Sequence, residues 1–233
     1  MSGTIEKGEP ITLNVDLLNG LKNGQVIGFM QNSEYTDHQD NLWFSRIIAQ
    51  SGETVEIRES EVWVNGTKVR NPPKTRLQWQ LEGNKELLEQ VKSYLFRDNS
   101  QIHKELFLEV RGELVLAFLY DQQVKELRER FGNLRMERMM RRAGYSAKEV
   151  IGFAEGEGWN NDHFGPLRIP EVGETVTAEY EGLYQSLGVQ KGETFVVEET
   201  LYFVLGDNRN NARDSRVIGL VPRYRVMGVV EVK

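Results

Sequence analysis

The sequence predicts a mainly antiparallel β domain, built from both ends of the chain and interrupted by an inserted α/β subdomain. Short runs that alternate apolar and polar residues occupy both ends, whereas residues 74–150 show the apolar spacing of helices. The charge changes as well: residues 74–150 carry 15 basic and 12 acidic residues, and the rest of the chain carries 14 and 23. We therefore expect a β domain from residues 1–73 and 153–233, and a subdomain from residues 74–152.

The strands of the β domain are predicted from this alternation and from the turn residues between the runs. The strand-like runs of the first segment are residues 11–15, 25–30, 44–48, 54–58 and 62–64. Asn65-Gly66 follows the last of them and favours a tight hairpin turn. The runs of the final segment are residues 175–180, 195–197, 202–205 and 226–232. Short strands at this spacing are typical of an antiparallel sandwich or barrel.

The inserted segment carries several helix signals. Asn84 is predicted to cap a helix with its apolar side chains on one face, and Asp121 to cap a second one. A further helix is expected over residues 133–142, and Ser146 has capping-box spacing before another. Residues 114–119 read as a buried strand. Three methionines, at positions 136, 139 and 140, are expected in the core or at an interface of the insertion.

Composition excludes several classes of function. The 233 residues carry a formal net charge of -6, which argues against a nucleic-acid partner. There is no cysteine, so disulfides, zinc-thiolate sites and thiol nucleophiles are excluded. No Cys/His constellation suggests a metal, and no cofactor is expected. No run approaches the roughly 18 apolar residues of a membrane-spanning helix.

The densest functional signal is the loop at residues 206–216, which we call the signature loop. It follows an apolar strand and combines Asp, Asn and Arg residues in the order GDNRNNARDSR. A polar turn would need fewer charges, so we expect Asp207, Arg209, Asp214 and Arg216 to form an ion-pair scaffold that makes one wall of a site rigid. The predicted pairs are Arg46 with Asp207, and Asp214 with Arg216.

This loop resembles that of the type I signal peptidases, membrane-anchored serine proteases with a Ser-Lys dyad. Their loop runs Gly-Asp-Asn-Arg-x-x-Ser-x-Asp-Ser-Arg and is followed by a Gly-Phe-Val-Pro segment, which here is residues 219–222, Gly-Leu-Val-Pro. Residues 159–170 resemble the stretch typical of the Bacteroidetes branch, which also has a large insertion in the place of residues 74–150. The resemblance covers both β segments and implies a signal-peptidase-like β domain.

The resemblance also shows where this chain departs from the family. The lysine motif of the family aligns with residues 45–53, and the general-base lysine is replaced by Ser45. In the signature loop, the serine that helps to position the lysine is replaced by Ala212. The nucleophile motif aligns with residues 1–9 from its second position onward, so the nucleophile is expected upstream of Met1. These changes imply a catalytically degenerate member, because a serine hydroxyl needs a base to become a nucleophile.

A substrate cleft is implied by the same resemblance. In the family, the strand before the lysine pairs with an extended substrate, and Leu42, Trp43 and Phe44 occupy that strand here. A core or membrane-facing role for Trp43 or Phe44 is the alternative interpretation. His38, His103 and His163 are poor candidates for a substitute base, because the family's histidine variant places that residue at the lysine position.

Three hypotheses remain from the sequence. The first is a homologue without peptidase activity that binds a signal peptide, another extended peptide or a membrane or secretion protein in the old cleft. The second is an active signal peptidase with an unrecognised base, and the third is an engineered Ser45 in an active enzyme, which leaves Ala212 unexplained. The resemblance places the full-length protein at the periplasmic face of the inner membrane, in contact with lipid, and these residues are then a soluble fragment of it.

Overall fold

The computed structural model describes residues 10–32, 40–95, 107–111, 113–148, 150–151 and 157–232. The fold is mainly antiparallel β, which confirms the predicted fold class. The strands are β1 Ile11–Asn14, β2 Val26–Asn32, β3 Asp40–Gln50, β4 Thr54–Arg58, β5 Glu61–Val64, β6 Thr67–Lys68, β7 Leu77–Glu82, β8 Phe107–Arg111, β9 Leu114–Leu119, β10 Arg135–Arg138, β11 Phe164–Arg168, β12 Thr175–Thr177, β13 Thr194–Val196, β14 Leu201–Leu205, β15 Val221–Pro222 and β16 Val226–Val232. The α-helices are α1 Lys85–Leu95, α2 Asp121–Arg130 and α3 Ser215–Ile218, and short 3-10 turns lie at Asp16–Leu18, Gln185–Leu187 and Arg223–Arg225.

Both ends of the chain meet in one six-stranded sheet with the order β1-β16-β2-β3-β14-β15. β3 is central to the site, since it pairs with β2 along Asp40–Arg46 and with β14 only over Arg46–Gln50. A second sheet, β11-β4-β5-β6, packs through residues such as Val55, Phe164 and Ile169 into a shared core with β14. Val55 and Ile57 of β4 and Val62 of β5 alternate with more exposed residues and face this core, so these two strands form where the alternation predicted them. β11 was not predicted.

The middle of the chain forms its own sheet, β10-β7-β9-β8, covered by α1 and α2. Its apolar side chains form a separate core from Leu81 to Leu134. The side-chain oxygen Oδ1 of Asn84 accepts a 2.8 Å hydrogen bond from the Leu87 amide, so the predicted cap is confirmed. α1 buries Leu87, Leu88 and Val91 against this core, as their spacing predicts.

Two predictions about secondary structure in the insertion are wrong. Residues 133–142 form no helix: Arg135–Arg138 is a strand on the edge of β7, with only Met136 packed against the core. This short segment forms a strand because the edge of β7 offers hydrogen-bond partners to its backbone amides and carbonyls. A single helical turn would leave those groups of β7 unpaired. Asp121 is the first residue of α2 and not its cap, because β9 runs to Leu119 and leaves only Tyr120 between the two elements.

The remaining expectations, for the end of the insertion and for the turn at residues 65–66, have mixed outcomes. Turns and no helix occupy the described residues that follow Ser146. Met136 packs against the core, whereas Met139 and Met140 are exposed, so the core alternative fails for these two. The Asn65-Gly66 turn is confirmed, since both residues have positive φ angles, of 50° and 74°, and join β5 to β6.

One exposed ion pair gives the β domain a defined acid sensitivity. Arg168 donates two hydrogen bonds, of 2.7 and 2.8 Å, to the carboxylate of Glu174, which also accepts from the Glu171 amide. These bonds lower the pKa of Glu174 to about 2, with the Arg168 bond as the largest cause. Because the folded-state pKa lies below the unfolded value, this group stabilises the fold above the unfolded pKa and ceases to do so as pH falls towards 2.

We predict that Glu174→Gln lowers the urea midpoint at pH 6 and that the difference from the parent protein shrinks between pH 4.5 and 2. Glu179→Gln, at an exposed glutamate of the same region, is the control. Urea denaturation followed by fluorescence at several pH values measures both. A difference for Glu174→Gln that stays constant with pH would contradict this account.

Candidate functional site

A cleft of about 340 Å³ lies where β3 parts from β14. One side is the β3 segment Leu42, Trp43, Phe44 and Ser45, and the other is the signature loop, through Gly206, Asn211, Ala212 and Arg213. The structure therefore brings together the two predicted degenerate positions and the three predicted substrate-binding residues. These two groups are far apart in the sequence, and the pairing of β3 with β14 makes them neighbours.

The two sides differ in how their residues are held. Ser45 is 2% exposed and lies opposite Ile27 in the β2–β3 pairing. Trp43 is partly buried against the core of the large sheet, so it serves the fold as well as the cleft. Leu42 is 42% exposed and is the most accessible apolar side chain on this side. Ala212 packs so closely on Gly206 that a Cβ at position 206 would overlap its methyl group, which explains the glycine.

The backbone of β3 presents an open edge to the cleft. The Ile47 amide and carbonyl bond to Gln25 and Gly24, on the β2 side. Since polar backbone groups alternate along an antiparallel strand, those of Leu42 and Phe44 point the other way, into the cleft. In the described part of the chain, β14 stops pairing at Arg46, and no other strand covers this edge. The cleft therefore offers donors and acceptors for an extended chain.

The predicted ion pairs are both present. Arg46 binds Asp207 in a bidentate manner, with Nε to Oδ1 at 2.9 Å and Nη2 to Oδ2 at 2.7 Å. Arg216 binds Asp214 in the same way, at 2.8 and 2.7 Å, and both side chains are essentially inaccessible to solvent. The first pair ties β3 to the signature loop. The second fixes the loop against α3, whose first turn Asp214 caps.

Arg209, the remaining member of the predicted scaffold, is also buried, at 3% exposure. It donates a 2.6 Å hydrogen bond to the Gly206 carbonyl and lies 4.0 Å from the Asp207 carboxylate. Burial lowers the pKa of Arg209 to about 10, and the charge of Asp207 partly offsets this effect. The guanidinium therefore stays protonated at neutral pH and contributes a fixed positive charge behind the wall of the cleft.

Several sequence candidates lie elsewhere. His38, His103 and residues 1–9, with the aligned nucleophile motif, are outside the described residues. His163 is partly buried in the turn after Asn160, and it is not among the residues that line the cleft. Within the described ranges, no group of three or more acidic or histidine side chains could hold a metal ion. No helix in the same ranges is long and apolar enough to cross a membrane.

Sequence reasoning missed Asp162 and Asn210, which connect the signature loop to other elements. Asp162 is 1% exposed and accepts hydrogen bonds from the Asn210 side chain and from Ser60. The available signal was the polar cluster Asn160-Asn161-Asp162. Ser215 was missed as well: its hydroxyl accepts a 2.8 Å hydrogen bond from the Val204 amide, at the irregularity in β14.

Comparison with known proteins identifies the family. A sequence model described as "Signal peptidase, peptidase S26" matches residues 1–112 and 145–233, which is most of the chain. The chain belongs to the signal peptidase family. The family model leaves residues 113–144 unmatched, and these contain β9, α2 and β10.

Individual relatives match this signal peptidase homologue over short segments. Signal peptidase I of Aquifex aeolicus (strain VF5) is 59% identical over 34 residues, which are 15% of this chain and 13% of that protein. Signal peptidase I of Buchnera aphidicola subsp. Baizongia pistaciae (strain Bp) is 44% identical over 52 residues, 22% of this chain and 17% of that protein. The matches span less than a fifth of either relative. A crystal structure of a signal peptidase I from Enterococcus faecalis V583 aligns with a TM-score of 0.34 and 18% identity, covering 91% of this chain and 97% of that one.

The buried pair of the signal-peptidase-like loop is testable by stability. We predict that Arg216→Met lowers the free energy of unfolding by about 3–5 kcal/mol, because it leaves the buried Asp214 carboxylate without a cation. The change also removes donors from the carbonyls of Asn161 and Arg209. Urea denaturation measures the loss.

Arg58→Met is the matched control, because Arg58 and Glu56 are also two residues apart and bind each other, but Arg58 is exposed. Its effect should be much smaller, since exposed pairs are screened by water. Equal losses for the two variants would show that burial does not set the importance of the Asp214–Arg216 pair.

Proposed function

We propose that this signal peptidase homologue binds an extended peptide in the cleft and does not cleave it by a Ser-Lys mechanism. One observation carries the proposal. The position where the resemblance puts the base lysine holds the buried Ser45, and none of the eight residues that line the cleft is a lysine or a histidine.

The chemistry of the lining supports the loss of activity. A serine nucleophile needs a nearby group that accepts its proton, and losing a general base costs roughly 10²–10⁴ in rate. The hydroxyl of Ser45 is a poor base near neutral pH. Arg213 also lines the cleft, but a guanidinium has no lone pair available to accept a proton. Ala212 fits the same interpretation, because without a lysine a helper serine has nothing to position.

Peptide binding is supported by the open edge of β3. The amides and carbonyls of Leu42 and Phe44 point into the cleft and match the backbone of an added strand. Strand addition draws affinity from these backbone bonds and specificity from alternate side chains. Leu42, half exposed beside them, supplies apolar contact. The occupant is therefore an extended segment such as a signal peptide or a segment of another secretion protein.

A second candidate is an active signal peptidase whose base lies outside the cleft lining. The intact ion-pair scaffold favours it, because the wall of the cleft keeps the loop that catalysis would need. The matched relatives are named signal peptidase I, and cleavage of signal peptides would then be the activity of this chain as well. In both cases we place the protein at the membrane, on its periplasmic face, with lipid nearby.

Cleavage separates the two candidates. We predict that the full-length polypeptide in detergent leaves a labelled signal-peptide substrate intact, because no base stands at position 45. The measurement is product formation by mass spectrometry, with Ser45→Lys plus Ala212→Ser assayed in parallel. Robust cleavage by the unmodified protein would defeat the pseudo-peptidase proposal and support the second candidate.

Binding tests the cleft itself. We predict that a fluorescent signal-peptide segment binds the parent protein and that Leu42→Asn weakens it several-fold, since an apolar contact beside the open edge is lost. N-methylation of alternate peptide amides should abolish binding, because it removes the backbone donors.

Leu17→Asn is the control, since Leu17 is 40% exposed and lies outside the cleft. Fluorescence anisotropy gives the dissociation constants. Equal affinity for methylated and unmethylated peptides would rule out strand addition.

A further inference from the structure

The first residues of the inserted segment are hydrogen-bonded along the signature loop. The Arg76 amide donates to the Asp207 carbonyl at 2.8 Å, and the Arg209 amide donates to the Arg76 carbonyl at 3.0 Å. Arg76 and Asn208 thus form a parallel β bridge. The loop that walls the cleft is therefore joined by its backbone to the segment that leads into β7.

A side chain extends this junction. The Asn210 side-chain oxygen accepts a 3.1 Å hydrogen bond from the Gln78 amide of β7, and its nitrogen donates to Asp162 Oδ1, also at 3.1 Å. Asn210 thus uses both ends of its amide to bridge two elements. The three residues that follow it in the chain, 211–213, line the cleft. Any displacement of Asn210 is passed to them through the backbone.

Asp162 gathers the other partners at the same point. Its Oδ1 accepts from Ser60 Oγ at 2.6 Å, in the turn between β4 and β5, and its Oδ2 accepts from the Arg141 amide at 2.9 Å, after β10. The carboxylate is buried, so each of these donors replaces a lost water. Arg141, at the exit from the inserted sheet, therefore binds Asp162 directly, and Gln78, near the entry, is linked to Asp162 through the Asn210 side chain.

We infer that Asp162 and Asn210 are positioning residues, which hold the inserted subdomain against the signature loop and so set the wall of the cleft. The inserted segment then supports the signature loop in its position beside the cleft. The effect on peptide affinity rests on the proposed function, whereas the effect on the loop does not.

Asn210→Asp is the first test, because it places a second carboxylate against Asp162 and removes the donor. We expect about tenfold weaker binding of the fluorescent signal-peptide segment. We also expect faster amide hydrogen exchange over residues 207–213, with exchange in β14 unchanged. Asp162→Asn combined with Asn210→Asp exchanges donor and acceptor, and this double variant should recover most of both properties.

Two further variants keep the test decisive. Asn210→Ala removes both bonds without adding a charge and replaces Asn210→Asp if that variant fails to fold. Asn133→Ala, at an exposed amide of the insertion, should change nothing. Unchanged exchange over 207–213 in a folded Asn210 variant would overturn the inference. If the parent protein binds no peptide, the proposed function fails. The exchange data still decide whether the inserted segment holds the signature loop in position.

Discussion

The buried ion pair between Asp214 and Arg216 is the interaction on which the rest of the site depends. Its carboxylate accepts from the Gly206 amide as well as from Arg216, so the end of β14 and the start of α3 are fixed to the same group. The guanidinium extends further, to the carbonyls of Arg209 and Asn161. Strand, loop, helix and the turn before β11 therefore meet at one pair of charges.

Burying such charges is costly unless every donor and acceptor is matched, and here the matching is nearly complete. Most of the partners are backbone groups, and backbone groups stay in place when a neighbouring side chain is substituted. This explains how the loop keeps its shape while Ser45 and Ala212 occupy positions that the resemblance assigns to the base and its helper. The ion-pair scaffold sets the geometry of the cleft wall. The chemistry depends on positions 45 and 212, whose side chains are not part of that scaffold.

Ten of the sixteen described strands, and α1, could be predicted because their signals are local; β6, β7, β8, β10, β11 and β15 were not predicted. Alternation over five or six residues selects a strand with one buried face, and the spacing of Leu87, Leu88 and Val91 selects a helix with one apolar stripe. Residues 133–142 could not be predicted in this way. Among the described residues of this stretch, Leu134 lies in the core and Met136 packs against it, and the strand conformation is set by the edge of β7, which is more than fifty residues distant in sequence.

The sequence by itself determined the identities at the site and the partners within the signature loop. Asp214 and Arg216 are two residues apart, so their pairing follows from the loop, and Ser45 and Ala212 are visible as departures from a motif. Only the tertiary structure decided that Leu42 and Phe44 have an open edge and that Asp162 collects partners from three elements. These features depend on where β14 stops pairing with β3 and on how the insertion returns to the β domain. Long-range strand register sets both, and no local pattern encodes it.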